Sequence, residues 1–206
     1  MPTRVYLDWN ATTPLRSEAR AAMVAAYDLV GNPSSVHAEG REARRLVEEA
    51  RSTLASAVGA LPRNVVFTSA GTEANALALS PGLRGPSGGP VERLLVSAVE
   101  HASVLAGGRF PAAKVGHIRV TRAGVVDLDH LKALLKDGPP TLVSIMAANN
   151  ETGALQPITE LARIAHEHGT LFHSDAAQAI GKIPFDVSAL DVDLRRYTSG
   201  SIWTRA

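Results

Sequence analysis

The sequence predicts an α/β domain with a mostly parallel sheet flanked by helices. Two observations predict this class: short apolar runs alternate with longer segments of helical periodicity, and the apolar runs are nearly continuous, as strands buried on both faces require. The 206 residues suit one large domain or an incomplete larger one. Hydrophobic residues make up 45% of the chain, which is enough for a substantial core and too much for a disordered protein.

Helices are predicted from apolar spacing and from capping residues. The first follows the candidate N-cap Ser17 and ends near residues 31–33. The second covers residues 38–58, where apolar positions recur at helical spacing, and Gly59 is its candidate C-cap. Three shorter helices are predicted over residues 72–79, 127–135 and 158–168.

Four strands are predicted between these helices, over residues 64–69, 93–97, 141–146 and 170–174. Each is short, mostly apolar and followed by polar or small residues, as expected for buried parallel strands. Residues 81–90 are rich in Gly and Pro and predict a surface loop. Ligands of open α/β sheets collect at the carboxyl ends of the strands, so the polar motifs at those ends form the candidate site.

Composition excludes several classes of partner and site. Lys and Arg number 21 against 20 for Asp and Glu, and this balance gives no reason to expect nucleic acid or an anionic membrane. The first residues lack the apolar run of a secretory signal and no segment has the length of a membrane span, so a cytoplasmic protein is expected. The chain has no cysteine, which excludes disulfides and cysteine-ligated metals within it, and no metal site is predicted.

The first motif is a small-residue turn between a strand and a helix, Ser69-Ala70-Gly71-Thr72. Gly71 lets the backbone approach a ligand closely, Thr72 can add a hydroxyl, and the first helical amides carry the positive end of the helix dipole. This combination can bind a phosphate group. An ordinary N-capped helix would give the same pattern, and taken alone it is the simpler interpretation.

Two further motifs follow strands. His101, after Val99-Glu100, can face an aromatic ring or take part in proton transfer, although a histidine after a strand is as often structural. The adjacent Asn149 and Asn150 offer uncharged donors and acceptors that suit a phenolate or carboxylate oxygen. Because Asn favours turns, a turn is the alternative for this pair.

The fourth motif is His173-Ser174-Asp175-Ala176-Ala177-Gln178. An aspartate at the buried end of a strand is costly unless a cation pairs with it, and a protonated pyridine nitrogen would be such a partner. Gln178 lies three residues further on and could reach another oxygen of the same ring. The alternative is a solvated strand-end Asp or a helix N-cap.

In this order the four motifs describe a pocket for pyridoxal phosphate, and the chain resembles the cysteine desulfurase family, within the class V aminotransferase group of fold-type I pyridoxal-phosphate enzymes. The resemblance runs from the start to about Leu194. Beside the four motifs it is carried by two strings, Tyr6-Leu7-Asp8-Trp9-Asn10-Ala11-Thr12-Thr13-Pro14 and Gly31-Asn32-Pro33-Ser34-Ser35-Val36-His37.

The resemblance implies roles for the residues around the cofactor. Gly71 and Thr72 would hold its phosphate, and Asp175 would pair with the ring nitrogen. His101 would stack on the ring and assist proton transfer, and Gln178 would bond the ring hydroxyl.

The resemblance also implies a substrate and partners. The activity would be conversion of L-cysteine to L-alanine, with transfer of sulfur for iron–sulfur cluster or thio-cofactor assembly. Asn150 would position the cofactor or the substrate carboxylate. The substrate entrance would include Asn10, Ala11, Thr12, Asn32 and Ser34. A homodimer and a sulfur-acceptor or scaffold protein are implied as partners.

The sequence departs from this family in its last residues. The family's Schiff-base lysine follows the Asp-Ala-Ala-Gln motif within a Ser-x-His-Lys string, which this chain lacks, and its nucleophilic cysteine is absent too. None of the four lysines has the expected neighbours. Residues 1–194 are therefore predicted as an incomplete cofactor-binding large domain and residues 195–206 as a divergent tail without a strand pattern, after a truncation or frameshift and without the small C-terminal domain.

Two other functions remain open from the residues alone. The chain could be a non-catalytic fragment or pseudoenzyme that binds cofactor or a partner, or it could derive from another class V enzyme such as a selenocysteine lyase. A Rossmann-type nucleotide binder is disfavoured, because no G-x-G-x-x-G follows the first strand.

Overall fold

The computed structural model of the chain describes residues 4–86, 88–183, 190–196 and 202–203. In chain order the strands are β1 (Val66–Phe67), β2 (Arg93–Ser97), β3 (Val115–Ile118), β4 (Thr141–Ser144), β5 (Leu171–Asp175), β6 (Leu194–Arg196) and β7 (Ile202–Trp203). Five of them form a sheet in the order β3-β2-β4-β5-β6, and every neighbouring pair is parallel. The predicted α/β class with a mostly parallel sheet is confirmed.

Six helices lie in the described residues, and two short 3-10 helices cover Pro62–Asn64 and Ala112–Lys114. The α-helices are α1 (Ser17–Tyr27), α2 (Ala38–Ala57), α3 (Gly71–Ala78), α4 (Ala102–Leu105), α5 (Leu128–Leu135) and α6 (Ile158–Glu167). The five helices predicted from apolar spacing are all present, with ends that differ by a few residues. None of the described helices is long and apolar enough to cross a membrane.

Both faces of the parallel sheet are buried. Leu95 of β2 and Phe172 of β5 belong to a core cluster that includes residues of α5 and α6. The preceding side chain of β2, Leu94, belongs to a second cluster with Leu79 and Val104 from the region of α3 and α4. Because successive side chains of a strand point to opposite faces, this alternation explains the nearly continuous apolar strands of the sequence.

The prediction of a buried parallel strand over residues 64–69 is wrong. The region begins with a 3-10 helix, and β1 has only two residues, which pair antiparallel with β7 outside the main sheet. Val66 and Phe67 are both more than a third exposed, and the Phe67 ring lies under the Arg51 guanidinium, 5.0 Å from its centroid. Both residue types favour strand conformation, but here their side chains stay partly exposed because they lie outside the main sheet.

Two strands of the main sheet and helix α4 were not predicted. β3 is an edge strand whose pattern is interrupted by Gly116 and His117, and a Cβ at Gly116 would lie 2.7 Å from the Leu95 side chain. β6 begins at Leu194, pairs parallel with β5, and extends into the tail for which no strand was expected. Close packing and edge position weaken the apolar alternation from which strands are predicted.

A histidine between two carboxylates connects α6 to the segment before β6. His166 Nδ1 lies 3.1 Å from an oxygen of Asp191, and Nε2 lies 2.9 Å from an oxygen of Asp193. Partial burial opposes protonation of this ring, but the two carboxylates outweigh it and raise the pKa of His166 above its ordinary 6.5. The protonated form therefore stabilises the folded chain.

We expect this contribution to be fully present below pH 6.5 and to disappear as the pH rises through the higher pKa of the folded state. Urea unfolding at a series of pH values, for the parent and for His166→Gln, measures it. The stability difference between the two should shrink as the pH rises. A difference that stays constant from acidic to alkaline pH would contradict the assigned ion pairs.

Candidate functional site

The carboxyl ends of β2, β4 and β5 meet at a cavity of about 360 Å³. Its walls also include part of the N-terminal segment. The lining residues are Asp8, Asn10, Ala11, His101, Met146, Ala148, Asn150, Glu151, Asp175, Ala177 and Gln178. Six residues assigned to the site from sequence therefore surround a single cavity, because the ends of parallel strands share one edge of a sheet.

Asp175, the last residue of β5, is the buried acidic side chain of this cavity, with 3% of its surface exposed. Its Oδ2 accepts a hydrogen bond from Asn75 Nδ2 at 3.1 Å, and its Oδ1 accepts one from the Ala177 amide at 3.1 Å. Both of these donors are neutral amides, and they orient the carboxylate. A cationic N–H group such as a pyridinium fits this position chemically.

His101 is the N-cap of α4, and its ring lines the cavity. Its Nδ1 accepts a hydrogen bond from the Ser103 amide at 3.1 Å and lies 2.8 Å from the Ser103 hydroxyl. The short helix α4, which was not predicted, therefore determines how the imidazole is held.

Gln178 and the N-terminal segment close another side of the cavity. Gln178 Nε2 donates to the Asn10 carbonyl at 3.1 Å, and Asn10 Nδ2 donates to the Asn150 carbonyl at 3.0 Å. Lys182 Nζ donates to Asn10 Oδ1 at 3.1 Å and also contacts Gln178 Oε1. These bonds join segments that are far apart in the chain at the rim of the cavity.

The two adjacent asparagines have different surroundings. Asn149 is buried, and its Oδ1 accepts hydrogen bonds from the amides of Glu151 and Thr152, so it stabilises a turn. Asn150 is partly exposed and lines the cavity. The turn interpretation therefore holds for Asn149, and Asn150 is the member of the pair available to a ligand.

The predicted phosphate turn lies at the start of α3. Gly71 is its buried first residue, Thr72 is exposed, and the N-cap Ala70 has no side chain that could accept from the first-turn amides. Neither Gly71 nor Thr72 lines the cavity itself. Asn75, one turn further along α3, contacts Asp175 and so holds this helix beside the cavity.

Three residues predicted for the substrate entrance are not among those that line the cavity: Thr12, Asn32 and Ser34. Asn32 Oδ1 accepts from the Ser34 amide at 2.9 Å, within a loop that packs against the first turn of α2. Gly40 permits this packing, because a Cβ there would lie 2.5 Å from the Ser35 carbonyl oxygen. The role of these residues toward substrate stays a prediction.

Glu100 and Asn75 are buried polar residues of the site that the sequence did not reveal. Glu100 Oε1 accepts from the Ser97 hydroxyl at 2.6 Å and from the Met146 amide at 2.7 Å, joining the ends of β2 and β4. Burial raises the pKa of the Glu100 carboxyl to about 8, with a smaller contribution from the charge of Asp175. In the sequence, Glu100 is recognisable only as a polar residue that follows a strand, and nothing in it indicates that the side chain is buried.

The raised pKa of Glu100 predicts a pH dependence of stability. The proton is held more tightly in the folded chain, so stability should decrease as the pH rises from 4.5 to about 8, where the buried carboxylate becomes charged. Glu100→Gln keeps the shape without the charge and should remove this part of the slope. Urea unfolding between these pH values measures the effect, and identical slopes for parent and variant would contradict it.

The chain matches the profile of a known family, described as Aminotransferase class-V, over residues 5–200. It is 46% identical over 200 residues to a protein named cysteine desulfurase IscS from Dictyoglomus turgidum, covering 94% of this chain and 50% of that protein. It is 38% identical to a mitosomal cysteine desulfurase of Trachipleistophora hominis, covering 98% of this chain and 47% of the relative.

A solved structure with the same fold is the NifS-like protein from Rickettsia africae, with a TM-score of 0.84, 33% identity, and coverage of 97% of this chain and 57% of that one. The chain thus spans about half the length of the curated relatives that it matches. The match to the family profile extends over nearly all of the chain. The chain belongs to the class-V aminotransferase family.

Proposed function

We propose that the cavity binds pyridoxal phosphate and is the cofactor pocket of a cysteine desulfurase. The observation that carries the proposal is the buried carboxylate of Asp175, which shares one cavity with His101 and Gln178. An acid in this position suits a protonated ring nitrogen. The names of the relatives support the choice of cysteine desulfurase within the family.

Each residue of the pocket has a proposed task. Asp175 binds the ring nitrogen and keeps it protonated, and Gln178 donates to the ring oxygen. The amides of Gly71 and Thr72 bind the phosphate at the positive end of α3. His101 covers the ring face and assists proton transfer. When bound, the cofactor supplies an electron-withdrawing ring that stabilises negative charge on the substrate carbon.

The reaction proposed for the whole protein is conversion of L-cysteine to L-alanine, with the sulfur passed to an acceptor for iron–sulfur cluster or thio-cofactor assembly. Asn150 binds the cofactor or the substrate carboxylate at the rim, and Asn10 and Ala11 border the substrate. Thr12, Asn32 and Ser34 are proposed for the entrance. A homodimer in the cytoplasm, with a sulfur-acceptor or scaffold protein as partner, completes the proposal.

These 206 residues contain no cysteine to accept sulfur, and no lysine in the string that the family uses for covalent attachment. Lys182 is the lysine at the rim, and its amine already donates to Asn10. We therefore propose that this chain by itself binds the cofactor reversibly without turnover. Another class V activity, such as that of a selenocysteine lyase, would use the same cofactor contacts.

A binding experiment tests the proposal. The purified chain is titrated with pyridoxal phosphate, dialysed, and in parallel treated with borohydride before peptide mass spectrometry. We expect saturable binding of one cofactor per chain, release on dialysis, no modified lysine peptide, and no alanine from added L-cysteine above that produced by free cofactor. Absence of saturable binding would overturn the cofactor assignment, and a borohydride-fixed adduct on Lys182 would overturn reversible binding.

A further inference from the structure

The side-chain amide of Asn75 joins three elements beneath the cavity. Asn75 lies in α3 and is fully buried. Its Nδ2 donates to Asp175 Oδ2 at 3.1 Å, at the end of β5, and to the Ser103 hydroxyl at 2.8 Å, in α4. Both hydrogens of the amide are therefore used, one for each partner.

The direction of each hydrogen bond follows from the donors. The Asn75 nitrogen can only donate, so the Ser103 oxygen accepts and its own hydrogen is available for His101 Nδ1, 2.8 Å away. The Ser103 amide also donates to this nitrogen at 3.1 Å. Nδ1 is thus an acceptor, and a neutral His101 ring carries its proton on Nε2.

The amide cannot be turned around without loss. With its oxygen and nitrogen exchanged, Asn75 would place an oxygen against the Asp175 carboxylate, and two acceptors would face each other. In the observed orientation Asn75 Oδ1 is buried without a hydrogen-bond partner among the described residues. A buried unpaired acceptor costs stability.

We propose that Asn75 is a positioning residue of the cofactor pocket. Its amide orients the Asp175 carboxylate directly and, through the Ser103 hydroxyl, holds His101 as the tautomer with the proton on Nε2. One side chain of α3, the helix that begins at the phosphate turn, then orients both the Asp175 carboxylate that would pair with the ring nitrogen and the His101 imidazole that would cover the ring. The consequence for the cofactor rests on the function proposed above, whereas the tautomer of His101 does not.

The test uses the complete chain and two readouts. The first is the ¹⁵N NMR spectrum of the ligand-free chain labelled in its histidine side chains, with His101 assigned from His101→Gln. We expect His101 to be protonated on Nε2, and its Nδ1 resonance to move in Ser103→Ala and in Asn75→Leu. Ser103→Ala removes the hydroxyl that donates to Nδ1, and Asn75→Leu removes the hydrogen bond that orients this hydroxyl. A packing role alone would leave this resonance in place.

The second readout is the Kd for pyridoxal phosphate. Asn75→Leu should weaken binding by about tenfold or more, because it removes a hydrogen bond to a charged group. Ser103→Ala keeps the bond to Asp175 and should have a smaller effect. The matched control Asn64→Leu, which makes the same change outside the cavity, should alter neither readout.

Thermal unfolding shows which variants are folded. If Asn75→Leu does not fold, the test is made with Ser103→Ala. A His101 proton on Nδ1 in the parent, or cofactor binding by folded Asn75→Leu as tight as that of the parent, would overturn the inference. If the parent binds no pyridoxal phosphate, the proposed function fails. In that case the His101 tautomer and its response to Ser103→Ala still decide whether the hydrogen-bonded chain exists.

Discussion

Replacing Asp175 by asparagine is expected to weaken the binding of pyridoxal phosphate by about 100-fold or more, because removing one charge from a buried ion pair costs about 3 kcal/mol or more. The substitution keeps the size of the side chain. Asn75 can still donate to the one remaining oxygen, whereas the bond from the Ala177 amide to the second oxygen is lost. The Kd from an absorbance titration at neutral pH measures the effect.

The matched control is Glu151→Gln, which removes a carboxylate from the rim of the same cavity. Glu151 is exposed, and a solvated charge contributes less than about 1 kcal/mol, so its Kd should stay within about fivefold of the parent value. If both substitutions weaken binding equally, the general charge of the cavity matters and Asp175 has no special contact with the ring. Unchanged binding in Asp175→Asn would remove the main support for the proposed function.

Replacing Phe172 by alanine is expected to lower the free energy of unfolding by about 3–5 kcal/mol. Phe172 lies in the middle of β5, is completely buried, and belongs to the core cluster shared with α5 and α6. The same strand ends at Asp175. The loss of packed volume should therefore destabilise the sheet and, with it, the support of the buried carboxylate.

Phe67→Ala is the control for this prediction. Phe67 is 38% exposed, lies outside the parallel sheet, and contacts the Arg51 guanidinium. An exposed cation–π contact contributes about 0.5–1 kcal/mol, so the loss should be clearly smaller. Urea unfolding with linear extrapolation compares the two variants, and equal losses of stability would contradict the assignment of Phe172 to the centre of the core.

Much of the candidate site could be predicted because it is made of short motifs at strand ends. Four of its residues lie at or just after the carboxyl ends of β2, β4 and β5: His101, Asn150, Asp175 and Gln178. Parallel strands bring such residues to one edge of the sheet without any knowledge of the loops. Asn10 reaches the same cavity from the N-terminal segment. Its position was implied by the family resemblance and by no local pattern.

The remaining features depend on contacts between distant segments. Asn75 is separated by 100 residues from Asp175, and Glu100 by 46 residues from Met146, so neither pair is visible in local spacing. The prediction of a buried parallel strand over residues 64–69 is wrong for a related reason, because Val66 stays 39% exposed and pairs with β7 outside the parallel sheet. Propensity marks which residues can form a strand, and tertiary contacts decide where they pair.

The most direct test of the proposed function is a crystal structure of the chain with pyridoxal phosphate. The proposal predicts the ring nitrogen within about 2.7–2.9 Å of an Asp175 carboxylate oxygen, the distance of a charge-assisted hydrogen bond. The phosphate should lie against the amides of Gly71 and Thr72, with the His101 ring over the cofactor. A cofactor bound covalently to Lys182, or bound away from Asp175, would contradict the proposal.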